Sequence, residues 1–183
     1  MTDKTAALGR KIPAFTLPST GGGAWKPASA TGRNLVIYFY PRDNTSGCTR
    51  EGIDFRDLHA EFRKAGTEIV GVSPDSVASH EKFRAKHGFP FALLSDEDRV
   101  ACRLFDVIRE KSMYGRKFMG VERSTFLVDA KGVLRREWRK VKVNGHAEEV
   151  LAPPANSDRP GAPRCRPRRS PPSAAYSCST PTS

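Results

Sequence analysis

A chain of 183 residues can bury one sizeable hydrophobic core and is short for two. No apolar run approaches the ~18 residues a membrane helix needs. The start, Met1 to Thr5, lacks the basic and apolar regions of a signal peptide, so a cytoplasmic protein without membrane contact is expected. The net charge of +11 invites a nucleic-acid reading. However, five arginines (Arg159, Arg164, Arg166, Arg168 and Arg169) sit close to the end with only Asp158 against them, and no aromatic-interleaved basic groove accompanies them. No specific nucleic-acid partner is expected.

In chain order, Gly21 to Gly23 marks a turn between short extended pieces, without the lysine and helix of a phosphate loop. Asn34 to Tyr40 is a continuous β-rich apolar run, typical of a strand buried on both faces. Pro41 stops it. A helix follows, capped by Ser46 or Thr49 and running to about Lys64, with Phe55, Leu58 and Phe62 on one stripe and Gly66 at its end. Glu68–Ser73 reads as a second strand. Ser76 starts a helix that ends near His87-Gly88. Residues 89–94 are extended, and Asp96 begins a short helix through Phe105. Ser124–Asp129 and Val133–Trp138 flank Ala130-Lys131-Gly132, the signature of a β-hairpin. Gly145-His146 opens a last helix, cut short by Pro153.

Strands alternating with helices predict an α/β layer with a mixed central sheet flanked by helices. Composition divides the chain into a folded domain, 1–152, and a Pro/Arg/Ser-rich tail, 153–183. The tail holds eight of the fourteen prolines and too few large apolar side chains to offset its ordering entropy, so it is expected to be disordered. Its composition is what an out-of-frame reading of a GC-rich gene would give.

Four cysteines, Cys48, Cys102, Cys165 and Cys178, show no C-x-x-C spacing. This argues against a zinc knuckle and against a thioredoxin-type thiol–disulfide oxidoreductase. The four histidines have no convincing ligand spacing either; His80 and His87 are expected on a helix surface or packed locally. Cys48 lies between a buried strand and the first turn of a helix. Unpaired N–H groups and the positive end of the dipole favour an anion there, and the thiolate is the nucleophilic form. Thr45 offers a hydroxyl that can turn toward the sulfur. Pro41 can close one side without a competing N–H.

Pro41-x-x-x-Thr45-x-x-Cys48 resembles the active-site signature of the peroxiredoxins. Further stretches resemble the bacterioferritin comigratory protein, or peroxiredoxin Q, branch: Phe39 to Thr45, Gly71 to Ser76, His87 to Phe91, Leu94 to Asp96, Met113-Tyr-Gly, Glu122 to Phe126 and Trp138 to Val143. The resemblance covers roughly residues 5–151. It implies a thioredoxin-like fold and a thiol-dependent peroxidase, active on hydrogen peroxide and organic hydroperoxides, without metal or organic cofactor. It further implies Cys48 as peroxidatic cysteine, Thr45 as its hydroxyl partner, Pro41 as its shield and Arg123 as the guanidinium that holds the thiolate and orients the peroxide. The branch carries a resolving cysteine at one of two positions, occupied here by Ile53 and Arg84, and Ser46 replaces a common proline. Cys102 is expected to face the core, and Cys165 and Cys178 lie unguided in the tail. A single-cysteine monomer follows, reduced by thioredoxin or another external thiol.

Overall fold

The computed structural model describes residues 5–113 and 116–152. Its centre is a five-stranded sheet in the order β5-β4-β3-β8-β9. Strands β3 (Asn34–Phe39), β4 (Thr67–Ser73) and β5 (Ala92–Ser95) are parallel neighbours. Strands β8 (Ser124–Val128) and β9 (Leu134–Arg139) join antiparallel on the other side of β3. The expected mixed sheet is therefore present. Two short antiparallel ribbons lie outside it: β1 (Leu17–Pro18) with β2 (Ala24–Trp25), and β6 (Ile108–Met113) with β7 (Arg116–Val121).

The period of two along β3 builds a core on each face of the sheet. Leu35, Ile37 and Phe39 pack with Cys102, Phe105, Phe126 and Leu134. Val36, Tyr38 and Tyr40 pack with Cys48, Phe55, Phe62, Phe83 and Phe89. The second core is covered by α1 (Ser46–Asp57), α2 (His59–Lys64), α3 (Val77–His87) and α5 (His146–Leu151); the first is covered in part by α4 (Val100–Leu104). Gly52 of α1 lets the Phe89 ring approach so closely that a Cβ there would lie 2.6 Å from it.

Several boundaries differ from the sequence-based expectation. The helix expected to run from Ser46 to Lys64 opens at Leu58 (φ −91°, ψ 1°). Leu58 N–H still reaches Asp54 O at 3.2 Å and Leu58 O still accepts from Phe62 N–H at 3.0 Å, so the apolar period runs through the break undisturbed. The N-cap is Thr45, neither Ser46 nor Thr49, and its side chain makes no capping bond. Strand β5 begins at Ala92, later than expected, because Pro90 has no N–H for the ladder and Phe89 and Phe91 stack on each other in the core. Helix α4 begins at Val100 rather than Asp96. The Asp96 carboxylate accepts from Val100, Ala101 and Cys102 N–H at 2.7, 3.3 and 2.8 Å, capping the helix from outside it.

Other signals hold. Ser76 Oγ accepts from Ser79 N–H, Gly88 takes the left-handed conformation after α3, and Gly132 (φ 79°) turns the β8–β9 hairpin. Helix α5 starts after Gly145, while Pro153, the tail and the Tyr114-Gly115 part of the family match lie outside the described residues.

Candidate active site

Strand β3 delivers Tyr40 to the carboxyl edge of the sheet, where Tyr40 N–H makes a last ladder bond to Val72 O at 3.1 Å. Pro41 cannot extend the ladder, and the chain turns into α1. The first bond of that helix runs from Thr49 N–H to Thr45 O at 2.9 Å. Cys48 therefore stands in the first turn, among the N–H groups that a helix leaves without internal partners. Its side chain is 2% exposed.

Arg123, immediately before β8, reaches Cys48 from the adjacent strand. Its Nη2 donates to Cys48 Sγ at 3.2 Å, and its Nη1 donates to Glu51 Oε2. Residues 75 positions apart thus meet because β3 and β8 are antiparallel partners, with Phe39 paired to Ser124. Burial works against the arginine's charge, but the anionic partners Glu51 and Cys48 outweigh it and raise its pKa. Gly47 leaves room for the guanidinium: a Cβ there would stand 3.2 Å from Nη2.

Of the four site residues expected from sequence, Cys48 and Arg123 are in direct contact. Pro41 is half-buried at the end of β3. Thr45 is exposed, and its hydroxyl donates to Arg42 O at 3.3 Å, a long bond. Thr45 Oγ1 makes no hydrogen bond to the sulfur in this structure.

Sequence reading missed the residues that hold this assembly. Glu51 follows Cys48 by three positions, so it lies one helical turn on and on the same face. That spacing was a usable signal. Its side chain is 2% exposed, and burial raises its pKa to about 7 against the opposing pull of Arg123. A second cluster braces the loop. The Asp43 carboxylate accepts from Tyr40 Oη at 2.8 Å and Ser79 Oγ at 2.7 Å, and lies 2.9 Å from His80 Nδ1. His80 Nε2 faces Leu94 O at 3.2 Å. Burial would raise the Asp43 pKa, but the bonds from His80, Ser79 and Tyr40 hold it below the ordinary carboxylate value. Asp43 N–H in turn donates to Asp75 Oδ2 at 2.8 Å. His80 is fully buried, so it neither sits on a helix surface nor packs only locally: its partner Asp43 lies 37 positions away, beyond the reach of any local pattern. His87 packs edge-on against Phe83.

Cys102 is fully buried in the other core, as expected. Burial, reinforced by the Asp96 carboxylate, raises its thiol pKa well above the ordinary value. Cys165 and Cys178 lie outside the described residues.

The chain is similar to known proteins over most of its length. The AhpC/TSA family model matches residues 8–137. Peroxiredoxin Bcp of Xanthomonas campestris is 55% identical over 154 residues, covering 83% of this chain and 95% of that protein. Peroxiredoxin Bcp of Bacillus subtilis is 46% identical over 147 residues, covering 80% and 94%. A solved structure of Xanthomonas campestris Peroxiredoxin Q superposes with a TM-score of 0.74 at 52% identity, covering 82% of this chain and 96% of that one. Another, of the bacterioferritin comigratory protein from the same organism, gives 0.72 at 54% identity over 75% and 87%, and was determined in connection with that protein's alkyl peroxide reduction activity.

The chain belongs to the AhpC/TSA family, with the thioredoxin-like fold of its peroxiredoxins. Within that family it falls in the bacterioferritin comigratory protein, or peroxiredoxin Q, branch and is a thiol-dependent peroxidase.

Proposed function

We propose that Cys48 is the peroxidatic cysteine, that it reduces hydrogen peroxide and organic hydroperoxides, and that an external thiol resolves it. The observation that carries this reading is the 3.2 Å contact between Arg123 Nη2 and Cys48 Sγ at a helix N-terminus. The relative studied for alkyl peroxide reduction supports organic hydroperoxides as substrates.

The Cys48 thiolate attacks the terminal peroxide oxygen. A sulfur–oxygen bond forms, the oxygen–oxygen bond breaks, and the departing oxygen takes a proton to leave as water or alcohol. Sulfur is oxidised to the sulfenic acid and the peroxide is reduced. Charge moves from sulfur to the leaving oxygen, so fixed donors around that path favour the transition state. Arg123 supplies such donors. Thr45 commits its proton weakly to Arg42 O, which leaves its oxygen lone pairs available to the peroxide O–H. Pro41 walls the site without adding a donor.

A thiol then attacks the sulfenic acid, releasing water and forming a mixed disulfide that a second thiol reduces. Cys102 is a poor resolver: it is buried in the opposite core and its thiolate is disfavoured. Ile53 and Arg84 carry no thiol. A cytoplasmic monomer, reduced by thioredoxin or a comparable thiol, completes the proposal. No helix among the described residues is long and apolar enough to cross a membrane.

Peroxide consumption with thioredoxin, glutathione or a small dithiol as reductant tests the reading. Cys48→Ser is expected to abolish turnover with every reductant, while Cys102→Ala retains it. Full turnover by Cys48→Ser contradicts the assignment.

A further inference from the structure

Glu51 is a buried carboxylate in contact with the guanidinium that touches the reactive sulfur. We propose that Glu51 is a positioning residue, which holds Arg123 in its catalytic orientation when ionised and releases it when protonated, so that acid slows peroxide reduction through the arginine. The proposal rests on Cys48 as the peroxidatic cysteine.

The arginine is held at two points. Nη1 is fixed by Glu51 Oε2 and Nη2 faces Cys48 Sγ. A planar guanidinium held at both ends cannot swing about its last side-chain torsion; held at the sulfur alone, it can. The two-point hold also leaves the arginine largely desolvated, with 16% of its side chain exposed, so an ionic partner matters more than it would at the surface. Glu51 has a place for a proton: Oε1 is buried and has no hydrogen-bond partner among the described residues. Burial sets its pKa at about 7, in the working range of a cellular enzyme.

The groups that face Glu51 come from several elements. Arg123 at the start of β8 favours its charge, and Asp54 on the same helix opposes it. Tyr38 of β3 feels the Glu51 charge, and so does the Arg123 guanidinium; His146 of α5 feels Arg123. Protonating Glu51 has a counter-effect, since it removes an anion that competes with the thiolate for the arginine. Orientation outweighs this effect, because a reacting group misplaced by about 1 Å can cost a hundredfold in rate.

The test is single-turnover oxidation of Cys48 by hydrogen peroxide from pH 5.5 to 8.5, with alkylation by neutral iodoacetamide measured in parallel. Alkylation reports the thiolate without needing Arg123 to orient an oxygen. In the wild type, the ratio of oxidation to alkylation rate is expected to rise tenfold or more through pH 7. In Glu51→Gln, which keeps the shape and cannot ionise, the ratio is expected to stay flat at the low-pH value. Superimposable profiles for wild type and Glu51→Gln overturn the proposal, as does a flat wild-type ratio. Rapid peroxide consumption that persists in Cys48→Ser would instead overturn the reading of the site itself.

Discussion

Cys48 and Cys102 are both buried, at 2% and 0% exposure, and differ in what surrounds the sulfur. Cys48 faces a guanidinium, while Cys102 lies beside the Asp96 carboxylate. The first places a fixed cationic donor on the sulfur, and the second disfavours the thiolate. Arg123 is therefore the most informative residue to change. Arg123→Ala is expected to slow Cys48 oxidation a hundredfold or more, since losing one preorganised donor raises a barrier by about 2.7–4 kcal/mol. Stopped-flow oxidation by hydrogen peroxide measures it, and a wild-type rate would remove Arg123 from the mechanism. At this scale the sequence was partly legible. Cys48 and Pro41 could be placed from a strand end followed by a helix start. Arg123 required the family resemblance, because nothing local tells that a residue 75 positions away will face the sulfur. Glu51 and Asp43 were overlooked because charged residues in a helix turn or a loop ordinarily face solvent.

At the scale of elements, the loop between β3 and α1 has to present Cys48 without being part of either. Asp43 fixes it: its carboxylate gathers Tyr40, Ser79 and His80, so the loop is tied to α3 and, through His80, to the Leu94 carbonyl of β5. Removing one member of a buried polar group leaves the others unsatisfied, at a cost on the order of 3–5 kcal/mol. Asp43→Ala is expected to lower the urea midpoint by a corresponding amount, and an unchanged midpoint would show that the brace carries no stability. Elements with a strong local signal were legible: β3, the Ser76 and Gly88 ends of α3, and the Gly132 hairpin. The β6–β7 ribbon was not. Its strands read Ile-Arg-Glu-Lys-Ser-Met and Arg-Lys-Phe-Met-Gly-Val, without the apolar alternation of a half-buried strand. Phe118 and Met119 remain 44% and 51% exposed, so no core burial imposed that pattern. The break at Leu58 was hidden for a different reason, since its hydrogen bonds bridge the bend.

For the whole molecule, buried titratable groups tie stability to pH. His146 of α5 meets Thr125 Oγ1 at 2.7 Å, and burial lowers its pKa from 6.5 to about 4, with Arg123 adding to the shift and Glu149 opposing it. Its contribution is complete above pH 6.5 and is lost as the pH falls through 4. Glu51 has the opposite sign: raised from 4.5 to about 7, it contributes fully below 4.5 and loses that contribution as the pH rises through 7. His146→Gln, which retains hydrogen-bonding capacity toward Thr125, is expected to lose less stability than wild type between pH 6.5 and 4. Urea unfolding across that range measures it, and parallel curves would contradict the assignment.

The most direct measurement of the central claim is peptide mapping after one equivalent of hydrogen peroxide in the presence of dimedone, without added thiol. A single dimedone adduct on Cys48 is expected, with Cys102 unmodified and further oxidation of Cys48 to the sulfinic acid when dimedone is withheld. An unmodified Cys48, or a stoichiometric disulfide joining it to Cys102, Cys165 or Cys178, would contradict the account.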